Sequence, residues 1–155
     1  MHQLLKAILL SIFPFAELRG GIPLALFYGV NPVIAFITCT AANILIIPII
    51  FFFLTYLHEH FMKIRLYKKT FDYFMERTRR KTHDKINKYG YLGLALFVAI
   101  PLPVTGAYTG TLAAWFFGMK KTKSFLAISL GVVTAAIIVT IVAYNGIEAL
   151  SFFLK

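Results

Sequence analysis

Glu17 and Arg19 are the residues whose type and place call for chemistry. They stand two apart inside the apolar stretch 7–30, where a charge costs about 2.5–3.5 kcal/mol at membrane depth. A carboxyl held there can take and release a proton. A guanidinium matches a phosphate bidentately and can hold an anionic head group. The structural reading stands beside the functional one: an Arg paired with a carboxylate or with backbone carbonyls would only pin a break in the helix.

A second polar group follows at Thr105, Tyr108 and Thr109. Their hydroxyls both donate and accept, which suits a head group, a water file or the backbone of a broken helix. Asn43 is the strongly polar side chain deep in the stretch 33–57 and can bond between helices or to a break. Gly20, Gly21, Gly106 and Gly110 allow tight turns with exposed amides, an arrangement that can hold an anion. No metal or cofactor set is legible. His58-Glu59-His60 lacks the i, i+4 spacing of a helical zinc site, and Cys39 has no partner thiol. One acid and one Arg without a nucleophile make no catalytic set, so an enzyme is not expected.

These residues need a membrane to make sense. Of 155 residues, 59% are hydrophobic, against about 45–50% in a soluble domain. The apolar stretches are 7–30, 33–57, 91–118 and 125–147. Each is long enough to span a hydrocarbon core of about 30 Å. The stretch 1–30 lacks the n-region and cleavage site of a signal peptide. The net charge of +10 is concentrated: 58–90 holds ten basic and four acidic residues. Phe61, Ile64, Tyr67, Phe71 and Phe74 recur there at spacings of three and four, which predicts a basic amphipathic linker helix on the membrane surface. Anionic lipid, not nucleic acid, is the expected partner.

Stretches 33–57 and 125–147 read as continuous spans, with a kink expected at Pro48. The other two look interrupted. The first carries Pro14, Gly20, Gly21 and Pro23, the second Pro101, Pro103, Gly106 and Gly110. Helix interiors lose about 3 kcal/mol per Pro and about 1 per Gly. Both are read as re-entrant hairpins, 7–30 and 91–118. Charge agrees. The linker 58–90 and the loop 119–123, with Lys120, Lys121 and Lys123, belong on the cytoplasmic side together only if 91–118 enters and leaves on one side.

The broken stretches align at an offset of 89: Pro14 on Pro103, Gly21 on Gly110, Ala25 on Ala114, Gly29 on Gly118. The expected architecture is an all-α integral membrane protein, one membrane domain over 1–155. It is an inverted repeat of two units, 1–57 and 91–155, each a re-entrant hairpin plus a transmembrane helix, with both termini outside. Two spans and two hairpins can hardly enclose a site alone, so a homo-oligomer, most simply a dimer, is expected.

Glu17-Leu18-Arg19-Gly20-Gly21-Ile22-Pro23-Leu24-Ala25 resembles one signature of the small multidrug export family. Lys88-Tyr89-Gly90-Tyr91-Leu92-Gly93-Leu94, with Pro101-Leu102-Pro103-Val104-Thr105-Gly106-Ala107-Tyr108-Thr109-Gly110, resembles its other. That family is similar to a branch of the DedA superfamily. The resemblance implies a plasma-membrane transporter with paired hairpins, and through the superfamily a flippase or scramblase of lipids such as polyprenyl phosphate (undecaprenyl phosphate), dependent on the proton-motive force. Three readings follow: a lipid-head-group transporter, a proton-coupled exporter of small cationic amphiphiles, and a membrane scaffold without transport.

Overall fold

The computed structural model describes residues 2–57, 73, 76, 89–101 and 105–153. Most of the expected linker helix 58–90, and Pro103, lie outside the described residues. Among those described, every regular element is helical: α1 (His2–Ile12), α2 (Glu17–Phe27), α3 (Pro32–Phe52), α4 (Tyr89–Ala99), α5 (Ala107–Phe116) and α6 (Lys121–Phe153).

Local chemistry sets the boundaries. Asn31 caps α3, its side chain accepting from the Val33 amide at 2.9 Å, and Pro32 follows at the first helical position. Helices α2 and α5 end alike. Gly29 (φ +74°) and Gly118 (φ +62°) take the left-handed conformation that glycine favours. The amides of Tyr28, Gly29 and Val30 bond to the carbonyls of Leu24, Leu26 and Ala25. Those of Phe117, Gly118 and Met119 bond to Ala113, Trp115 and Ala114, each 89 positions on.

Pro48 does not end α3. The helix continues through it and widens into a π-helical turn at Phe53–Leu57. With that turn α3 offers a 25-residue apolar span of mean hydropathy 2.4, and α6 a 27-residue span of 2.7. About a third or less of each is covered by the rest of the chain, 28% and 33%. The core helix of a soluble protein would be mostly covered. Leu45, Leu130 and Val142, each 66% exposed, face outward from these spans.

Helix α3 is the hub, packing on α1, α2, α5 and α6, while α2 also packs on α6. Ile22, Ile47, Leu94, Val98, Ile128 and Val132 form the fully buried centre. Missing side chains make the closest approaches. A Cβ on Gly131 of α6 would fall 2.6 Å from the Ala95 carbonyl and 2.7 Å from Val98 of α4. A Cβ on Gly110 of α5 would fall 2.6 Å from the same Val98.

Gly131→Ala is expected to destabilise by about 1–3 kcal/mol through overpacking. Gly146→Ala, in the same helix with nothing within 4 Å, is expected to stabilise by about 0.5–1 kcal/mol. Thermal unfolding in detergent checks both, and equal effects would contradict the α4–α6 packing.

Candidate functional site

The first interrupted stretch breaks at 13–16. Helix α1 ends at Ile12, and α2 starts at Glu17, whose amide donates to the Phe13 carbonyl at 2.9 Å. Pro14 lies in this break and is exposed. Glu17 itself has φ +48°, a left-handed conformation rare outside glycine. Such a residue costs of order 1–3 kcal/mol and persists only where its surroundings fix it.

The second break supplies those surroundings. Helix α4 ends at Ala99 and α5 begins at Ala107, so α5 exposes a set of amides and α4 a set of carbonyls. The Glu17 carboxylate is buried against the start of α5 and accepts from the Tyr108 amide at 3.3 Å, with the Ala107 amide beside it. Arg19 reaches the other side of the break. Its Nη2 donates to the Ile100 carbonyl at 3.3 Å, to the Thr105 hydroxyl at 3.1 Å and to the Thr105 carbonyl. The Thr105 hydroxyl also donates to the Ile100 carbonyl at 2.7 Å. The acid thus sits at the positive end of one half-helix and the cation beside the negative end of the other, the arrangement that helix dipoles favour.

The service is mutual. Tyr108 of α5 donates its hydroxyl to the Ile12 carbonyl at the end of α1, and Asn43 of α3 donates Nδ2 to the Ser11 carbonyl at 3.1 Å. Two orphan carbonyls of α1 are thereby paired. Thr109 accepts from the Gly106 amide at 2.9 Å and helps to close the first turn of α5.

The structure therefore brings Glu17, Arg19, Thr105, Tyr108 and Thr109 together, and joins Asn43 to the rear of the same junction through Ser11. It corrects the reading of the glycines and of Pro23. Gly20, Gly21 and Pro23 lie within α2, and Gly110 lies within α5. They are packing positions, not turns. A Cβ on Gly21 would overlap the Ser11 hydroxyl, and one on Gly20 would sit 2.9 Å from Ala16 Cβ. Pro23 lies within α2 without ending it, as prolines in membrane helices can. Nor are the amides of the second break open to an anion. Gly106 N is taken by Thr109, and Tyr108 N by Glu17. Gly106 instead makes room, since any Cβ there would collide with the Glu17 carboxylate. Pro101 lies exposed just past α4.

Sequence reasoning missed Ser11 and the role of Gly106. A signal for the second was present: Gly106 stands 89 positions from Glu17, in the same register as the residue it accommodates. Among the described residues no group of three or more His, Cys, Asp or Glu side chains could hold a metal. A groove of about 320 Å³ lies away from this junction, where Leu26, Val30 and Pro32 face Tyr144 and Ile147.

Tyr108→Phe leaves the Ile12 carbonyl without its donor and is expected to cost about 1–3 kcal/mol. Arg19→Ala removes a charged donor from two carbonyls and is expected to cost about 1.5–3 kcal/mol. Thermal unfolding in detergent reads both, and changes below about 0.5 kcal/mol, the surface range, would contradict the junction.

A sequence model described as "Putative small multi-drug export protein" matches residues 17–138. No curated protein and no solved structure matches the chain. The matched segment begins at Glu17, directly after the first break, contains the second break and ends inside α6. With its two long apolar helices the chain is a membrane protein, and it belongs to the small multi-drug export protein family.

Proposed function

We propose that this chain is a transporter whose two broken stretches are re-entrant hairpins in inverted repeat, and that it moves amphiphiles with an anionic head group past Glu17 and Arg19. The observation that supports this most is the seat of the Glu17 carboxylate on the first amides of α5, with a guanidinium two residues along the chain. A helix N-terminus is an anion site by construction. Glu17 fills that site in the described arrangement. When the carboxyl takes a proton, its hold on the amides weakens and the site opens. A lipid phosphate arriving there replaces one anion by another, so the charge at the junction changes little. The tail stays in the surrounding hydrocarbon. Lipids such as polyprenyl phosphate fit this scheme, as does coupling to a proton gradient.

The recurrence of the α2 and α5 helix ends at an offset of 89 supports a repeat. The basic segments 58–90 and 119–123 favour a shared cytoplasmic side, with both termini outside. Exposed apolar side chains such as Phe15 and Phe27, 78% and 71% exposed, leave faces that lipid or a second copy would cover. A dimer completes the protein wall that each broken helix needs.

A second reading draws on the family description, which names multi-drug export. Here Glu17 alternates between a proton and a cationic amphiphile, and Arg19 is structural. Arg19 argues against it, since a permanent cation two residues away repels such a substrate.

Flipping of a polyprenyl phosphate in proteoliposomes separates the two. Glu17→Gln and Arg19→Ala are each expected to slow flipping at least about tenfold, equivalent to about 1.4 kcal/mol. Unchanged flipping in both variants would overturn the head-group reading. Drug-stimulated proton release that is lost in Glu17→Gln would establish the second.

A further inference from the structure

The face of α3 on which Asn43 meets the end of α1 has, among the described residues, two oxygens without partners on adjoining turns. Asn43 is fully buried; its Nδ2 bonds to the Ser11 carbonyl, while its Oδ1 has no donor. Thr40, 5% exposed, has a hydroxyl with no partner either. Three residues apart on a helix, the two side chains share a face.

The state of Thr40 departs from that of other helical threonines in this chain. Thr38, Thr55, Thr111, Thr134 and Thr140 each donate to the carbonyl four residues back, at 2.6 to 2.9 Å. Thr40 makes no such bond. Its register recurs at Ser129 in α6, 89 positions on, whose hydroxyl is also buried without a partner.

Buried polar atoms are nearly always paired with protein or with ordered water. Asn43 Oδ1 can only accept, whereas a hydroxyl both donates and accepts. Ser11 stands beside Asn43, its carbonyl accepting from Asn43 Nδ2. Its hydroxyl donates to the Ala7 carbonyl at 2.9 Å and can still accept, and the Cys39 thiol lies against it. This is a donor-and-acceptor set with no carboxylate, which suits a neutral ligand.

We propose that Asn43, Thr40 and Ser11 form an internal hydration site that holds a buried water at the broken end of α1. The water donates to Asn43 Oδ1 and to the Ser11 hydroxyl, and it accepts from the Thr40 hydroxyl. Two to four polar partners are what a buried water requires. The site is continuous with the junction. The Ser11 carbonyl held by Asn43 adjoins the Ile12 carbonyl held by Tyr108, and the Tyr108 amide bonds to Glu17. The polar seam that begins at Glu17 therefore ends at this water, whatever the transported substrate is.

The one cysteine of the chain is a native probe, since Cys39 precedes Thr40 and is fully buried. The full-length protein in lipid vesicles is transferred to D2O, and conversion of the S–H infrared band to S–D is followed. Wild type and Thr40→Ser, which keeps the hydroxyl, are expected to exchange at similar rates. Thr40→Val and Asn43→Leu are expected to slow exchange at least about tenfold, because each removes a polar partner of the water. A wild-type S–H band that persists in D2O would overturn the proposal. So would exchange in Thr40→Val and Asn43→Leu as fast as wild type or faster. Loss of fold speeds exchange, so it cannot imitate the expected slowing.

Discussion

A helix broken inside an apolar bundle leaves amides on one side and carbonyls on the other, and each must find a partner away from water. The rest of this structure depends on how that demand is met. Glu17 takes the amides at the start of α5, and Arg19 takes carbonyls at and beyond the end of α4. Both charges come from one turn of α2. The break between α4 and α5 is therefore held by the element that follows the other break, and Tyr108 returns the favour to α1. Removing Glu17 takes the acceptor from the amides at the start of α5, and removing Arg19 takes a donor from the carbonyls of Ile100 and Thr105.

The contact between Glu17 and Gly106 gives this mutual capping a geometric form. The two residues stand 89 positions apart, the offset at which the broken stretches align, and they touch. In the proposed inverted repeat, residues related by the symmetry meet only where its axis passes. At that point one half contributes a long acid with a left-handed backbone, and the other contributes the residue that takes no space. The asymmetry is necessary, because two carboxylates there would repel, and two glycines would leave the amides of α5 unpaired. Gly21 and Gly110 share a register too, and they behave alike, each letting the helix after a break lie close to the helix before it.

Much of this was legible in the sequence because membrane chemistry is restrictive. Glu17 and Arg19 stood out as charges among apolar residues, and the continuous stretches 33–57 and 125–147 lie inside α3 with its π-helical turn and inside the longer α6. The proline and glycine count located both interruptions but misjudged their extent. Local propensity favours a turn at Gly20, Gly21, Pro23 and Gly110. Their helical state is decided by neighbours, as the Ser11 hydroxyl packed on Gly21 illustrates. Backbone carbonyls were legible as a kind of partner for Arg19, but not which ones. They lie 81 and 86 residues away, and a carbonyl has no signature in a sequence.

The central claim is that the two breaks meet at Glu17 and Gly106. A Cβ on Gly106 falls 2.5 Å from the Glu17 Cδ, so cysteines at both positions lie within reach of a disulfide. The measurement is oxidation of a Glu17→Cys/Gly106→Cys chain, with Cys39 replaced by Ala, in native membranes. Rapid formation of an intrachain disulfide is predicted. A chain that stays reduced, or that links only to a second copy, would contradict the account.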